Sequence, residues 1–169
     1  LGRIVDLRSA AITNFERLEI GTSAILRLTG SQYSQFTSGI SKVAGYEGAA
    51  NLAIDLRPGE ELRFSRTAGI NTATGALKIT GTSTSFADVL AINSDGTVDL
   101  SNPATVITGV ETLEVQRGTV ILTSAQWNAF DTITARGTAP KRVILADSLD
   151  VDLDKFTRSG DANTTFEPA

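Results

Sequence analysis

Residues 98–130 read VDLSNPATVITGVETLEVQRGTVILTSAQWNAF. Three short apolar phrases are spaced along this stretch: Val98-Asp99-Leu100, then Glu111-Thr112-Leu113-Glu114-Val115, then Val120-Ile121-Leu122-Thr123. The middle phrase alternates apolar and polar residues with period two, the pattern of a half-buried strand. The same three phrases recur in the same order near the start of the chain, as Val5-Asp6-Leu7, Glu16-Arg17-Leu18-Glu19-Ile20 and Leu26-Arg27-Leu28-Thr29. They recur again in the middle, as Ile54-Asp55-Leu56, Glu60-Glu61-Leu62-Arg63-Phe64 and Leu77-Lys78-Ile79-Thr80. A fourth Val-Asp-Leu begins at Val151, and the gaps between the four Asp residues are 49, 44 and 53.

The closing Thr of the third phrase has a local role. Thr29 is followed three residues on by Gln32, and Thr123 by Gln126. This is the spacing of a capping box, in which each side chain satisfies a free backbone N–H at a helix start. Aromatics follow at matching offsets, Tyr33 and Phe36 in one copy, Trp127 and Phe130 in the other. A short helical turn with an aromatic face plugging the stack is expected there. In the central copy Thr80 and Ser83 stand at those places, and the turn is degenerate.

Strand phrases at a fixed long period are built by stacking. The expected fold is all-β, a parallel β-solenoid (β-helix) of about three and a half repeats over residues 4–52, 53–96, 97–149 and the start of a fourth at 150–169. A unit of 44 to 53 residues fits two coils, or one coil with a helical insertion. The alternative is a set of β-propeller-like blades, since blades have a similar length. The 169 residues make one domain. The chain has no Met, which predicts a fragment or processed product of a longer protein.

Composition removes several function classes. With no His and no Cys, neither Ser-His-Asp nor Cys-His catalysis is available, and the commonest transition-metal ligands are missing. No phosphate loop or dinucleotide fingerprint occurs. A net charge of −4 without a Lys/Arg cluster argues against nucleic acid and anionic membranes. No apolar run approaches the length of a membrane span. Carboxylates alone can still run glycoside chemistry, so a carbohydrate-cleaving or carbohydrate-binding β-helix stands as the alternative function.

The pattern Gly/Asn-x-Glu-x-Leu-x-Ile/Val followed by Leu-Thr-x-x-Gln-x-x-x-Phe resembles the β-strand repeats of large bacterial secreted and cell-surface proteins. These include adhesins and surface-layer-like proteins, often carrying RTX calcium-binding segments elsewhere. The residues that carry it are Asn14, Glu16, Leu18, Ile20, Thr29, Gln32 and Phe36, and again Gly109, Glu111, Leu113, Val115, Thr123, Gln126 and Phe130. The resemblance implies a non-catalytic structural or adhesive module, extracellular or on the bacterial surface. It would be a stiff spacer or lattice-forming unit, self-associating or stacked on neighbouring repeats. The RTX nonapeptide itself does not occur here.

Three sets of residues are candidate sites. Asp150, Asp152, Asp154 and Asp161 fall near the spacing of a calcium loop, although Lys155 stands where such a loop needs Gly. Residues 150–154 also alternate as a strand would, with Val151 and Leu153 facing in. Glu16, Glu60 and Glu111 recur at one position, as a calcium ladder or as acceptors of backbone N–H groups at a repeating turn. Tyr33 and Trp127 are either stacking platforms for a surface glycan or core residues.

Overall fold

The structure is a computed structural model, and it describes residues 3–20, 24–36, 39–42, 51–64, 76–82, 86–147, 150–159 and 163–168. The strands are β1 (Arg3–Asp6), β2 (Arg17–Ile20), β3 (Ala24–Thr29), β4 (Gly39–Lys42), β5 (Asn51–Asp55), β6 (Glu61–Phe64), β7 (Leu77–Thr80), β8 (Val89–Asp99), β9 (Val106–Thr108), β10 (Thr112–Leu122), β11 (Thr132–Arg136), β12 (Lys141–Leu145), β13 (Phe156–Ser159) and β14 (Thr164–Pro168). Two short helices, α1 (Gly30–Tyr33) and α2 (Ser124–Ala129), and a 3₁₀ turn at Leu153–Lys155 lie on corners between them.

Every ladder among these strands is parallel. One face stacks β1-β3-β5-β7-β9, a second stacks β6-β8-β10-β11-β13 with β2-β4 paired separately, and a third stacks β8-β10-β12-β14. The chain is a β-solenoid of about six turns. Propeller blades are antiparallel, so parallel pairing throughout excludes them. Stacked partners lie between 20 residues apart (Thr112 and Thr132) and 28 apart (Lys78 and Val106). One coil is thus about half of the sequence repeat, and each 44–53-residue unit holds two coils.

The alternation read from the sequence places the core. Leu28, Ile54 and Ile79 form one fully buried column, and Leu62, Leu90, Leu113 and Ile133 form another. Each buried aliphatic side chain contributes about 1.5–3 kcal/mol relative to an exposed one.

Both capping boxes form. The Thr29 and Thr123 side chains accept from the amides of Gln32 and Gln126, whose side chains accept from the Thr amides at 2.9 Å. Each Gln also reaches the preceding turn: Gln126 Nε2 donates to Leu100 O at 2.5 Å, and Gln32 Nε2 to Leu7 O and Ala10 O. From the following turn, Glu60 accepts from the Ser31 amide and Asp147 from the Ser124 amide. A helical corner is therefore tied to the turns on either side of it.

The first residue of the Gly/Asn-x-Glu pattern has a backbone cause. Asn14 and Gly109 occupy equivalent places with φ of 63° and 65°, the left-handed region that Asn and Gly tolerate best. β8 and β10 each run 11 residues around a corner, where the register slips on both sides of Arg117.

The Val-Asp-Leu phrases do not stack as one row. Asp6 pairs with Arg27, Asp55 with Thr29, and Asp99 with Ile121. What Asp6, Asp99 and Asp152 have in common is a hydrogen bond: each accepts the backbone N–H two residues on, from Arg8, Ser101 and Asp154 respectively. Each therefore nucleates the corner that follows its phrase.

Candidate functional site

The strands of the second face are each entered from a corner, and the last corner residue is acidic four times running. Glu60 precedes β6, Asp88 precedes β8, Glu111 precedes β10 and Asp131 precedes β11. These residues sit on successive turns. The Val89 amide donates to Glu60 O, the Thr112 amide to Asp88 O and the Thr132 amide to Glu111 O, each at 3.1 Å. Four carboxylates in a column would repel if left bare.

Three of them are held by amides. Glu60 accepts from the Ser31 amide at 2.6 Å and the Arg57 amide at 2.8 Å. Asp88 is 0% exposed; its Oδ1 accepts from the Gly59 and Glu60 amides, and its Oδ2 from the amide and hydroxyl of Thr82. Glu111 Oε2 accepts from the Asp88 amide at 2.7 Å. The backbone-acceptor role expected for the recurring Glu thus holds at Glu60 and Glu111, whereas Glu16, before β2, lies exposed at the first turn. Above the column, Lys155 Nζ donates to the carbonyls of Asn128 and Phe130 at 2.9 Å.

Asp88 is not among the residues that the sequence singles out by its long repeat. A signal for it exists: Asp88-Val89-Leu90-Ala91-Ile92 repeats acid-x-apolar-x-apolar, but on the shorter coil period rather than the long unit.

Three of the four calcium-loop candidates, Asp150, Asp152 and Asp154, lie among the described residues. Asp150 and Asp154 are exposed, Asp152 caps the 3₁₀ turn, and Asp161 lies outside the described residues. Among the described residues no three acidic side chains are grouped to hold a metal ion. The strand expected over 150–154 does not form either. Trp127 Nε1 donates to Asp152 O at 2.9 Å and Asn128 Nδ2 to Asp150 O at 3.2 Å, gripping this backbone onto α2 as a corner. Leu153 is consequently 59% exposed instead of facing in.

Tyr33 and Trp127 are core residues, 7% and 0% exposed, so neither ring offers a face to a sugar. Tyr33 meets Phe64 edge-on at 5.6 Å, and Trp127 meets Phe166 at 5.3 Å. Burial pushes the Tyr33 phenol well above its ordinary pKa. At the first turn, the Arg8 guanidinium and then the Arg8 amide hold the Asp6 carboxyl down at about 2.

Comparison with protein-family models, with curated proteins and with solved structures finds no match.

Proposed function

We propose that this chain is a non-catalytic structural module of a bacterial surface or secreted protein, acting as a stiff spacer or a lattice-forming unit. The observation that carries the reading is the parallel stack itself, in which fully buried columns such as Leu28, Ile54 and Ile79 run through successive turns. A stack of this kind takes further rungs at its ends, and at the first described rung Val5 lies in register with buried Leu26. The stacked carboxylates support a structural role, because backbone amides satisfy them. The bacterial surface location rests on the resemblance of the repeat pattern.

The test is molar mass by light scattering over a concentration series, with calcium and with chelator, on the chain and on Val5→Lys. Mass that grows with concentration and is abolished by Val5→Lys supports a stacking unit. A monomer at all concentrations, compact by small-angle scattering, overturns both the lattice and the rod.

A further inference from the structure

The corner where β10 turns from the second face to the third carries a groove of about 480 Å³. Asp95, Arg117, Thr119, Pro140, Lys141 and Arg142 line it. Gly118 pairs with Lys141 and Thr119 with Arg142, so the two arginines come from consecutive turns, about 4.8 Å apart along the stack.

The cations are unevenly compensated. Arg117 Nη1 donates to Asp95 at 2.8 Å, but the Asp95 side chain is 85% exposed and that of Arg117 49%. An exposed pair of this kind is worth little and exchanges readily. Arg142 pairs with Glu167 at 2.5 Å, with side chains 52% and 39% exposed. Lys141 differs from both, being 1% exposed. Its ammonium donates to the carbonyls of Gly137 and Ala139 at 2.7 and 2.5 Å, and no carboxylate among the described residues pairs with it. Burying an ammonium on carbonyl dipoles alone is costly, and desolvation pulls its pKa down. An anion in the groove would offset that charge across a medium of low dielectric. The Arg117 and Arg142 guanidiniums, on exchanging from the exposed carboxylates of Asp95 and Glu167 that they now hold, would at the same time supply charged donors of the geometry that oxyanions take.

We propose that this groove binds the carboxylate of an acidic polysaccharide, with Arg117 and Arg142 as direct ligands and buried Lys141 supplying the field. Among the described residues no aromatic side chain lines the groove to stack a base. The Thr119 hydroxyl and the Pro140 ring suit a sugar better. The inference is separate from the spacer reading and stands or falls without it.

The experiment is calorimetric titration of the chain with sodium polygalacturonate, with a neutral galactan and with sodium sulfate, at low and at high salt. Polygalacturonate should bind with an affinity that falls as salt rises, and the galactan should not bind. Arg117→Gln with Arg142→Gln should weaken binding about tenfold or more, as loss of charged hydrogen bonds implies. Asp95→Asn, which removes the competing carboxylate, should strengthen it. These side chains are about half or more exposed, so the variants are expected to fold, and thermal melting checks this. Absence of polygalacturonate binding overturns the proposal, as does sulfate binding without it or binding indifferent to the arginine pair.

Discussion

The backbone N–H of Asp88 donates to Glu111 Oε2 at 2.7 Å, one turn further along the stack, while the Asp88 carboxylate accepts from the amides of Gly59, Glu60 and Thr82. One acidic residue is therefore donor to the turn after it and acceptor from the turn before it. The corner is a chain of such links, and side chains add to the backbone hydrogen bonds that hold successive turns in register there.

Asp88→Ala takes the carboxylate acceptor from the Gly59 and Thr82 amides, while the Glu60 amide keeps Arg57 O at 2.9 Å. A loss of about 3 kcal/mol is expected, since each charged hydrogen bond contributes about 1.5–3 kcal/mol. Urea denaturation measures it. A loss below about 1 kcal/mol would show that water replaces the carboxylate.

Gly118 and Gly137 make a matched pair, both with φ of +81°. A Cβ on Gly118 would lie 1.9 Å from Ser94 O, whereas one on Gly137 meets nothing within 4 Å. Gly137→Ala should cost only the left-handed strain, about 1–2 kcal/mol. Gly118→Ala should cost that and a backbone displacement between turns, about 3 kcal/mol or more, or should prevent folding. Equal melting temperatures for the two variants would mean that the β8–β10 corner can open.

Thr123→Ala removes one half of a capping box and should cost about 1 kcal/mol. Gln126→Ala should cost more, because it also releases Leu100 O on the preceding turn. In a double-mutant cycle the two losses should be less than additive, since both act on one corner.

Stability should fall at both extremes of pH for different reasons. The Asp6 carboxyl is depressed to about 2 from 3.8, so its contribution is full above 3.8 and is lost as pH falls from there toward 2. Asp6→Asn should flatten that slope. Tyr33 is raised above 10.0, so the unfolded chain ionises first and stability falls as pH climbs past 10. Lys141 is lowered below 10.5, so its burial penalty is relieved as pH rises toward 10.5 and its slope has the opposite sign. Urea midpoints against pH for Tyr33→Phe and Lys141→Met should separate the two.

Much of this molecule is local chemistry and is legible as such. Alternation in Glu111-Thr112-Leu113-Glu114-Val115 names the inward residues, because side chains on a strand point to opposite faces in turn. Thr29–Gln32 and Thr123–Gln126 name the helical corners, because a capping box closes within four residues. The recurring Glu is readable as an acceptor of turn amides, since its place ahead of a strand is local too.

The tertiary structure decided what depends on neighbours in the stack. The coil length is hidden in the sequence because helical and loop corners alternate, so the stronger signal is the two-coil unit rather than the coil. Residues 150–154 carry a strand's pattern, yet Trp127 and Asn128 from the turn before fold them into a corner. Tyr33 and Trp127 have spacings that suit a surface platform or a core, and only the turns packed over them bury them. The sequence by itself determined which residues alternate, cap and turn, since those choices are settled within a few residues. Only the stack decided which column each residue joins, because that depends on contacts 20 to 28 residues away.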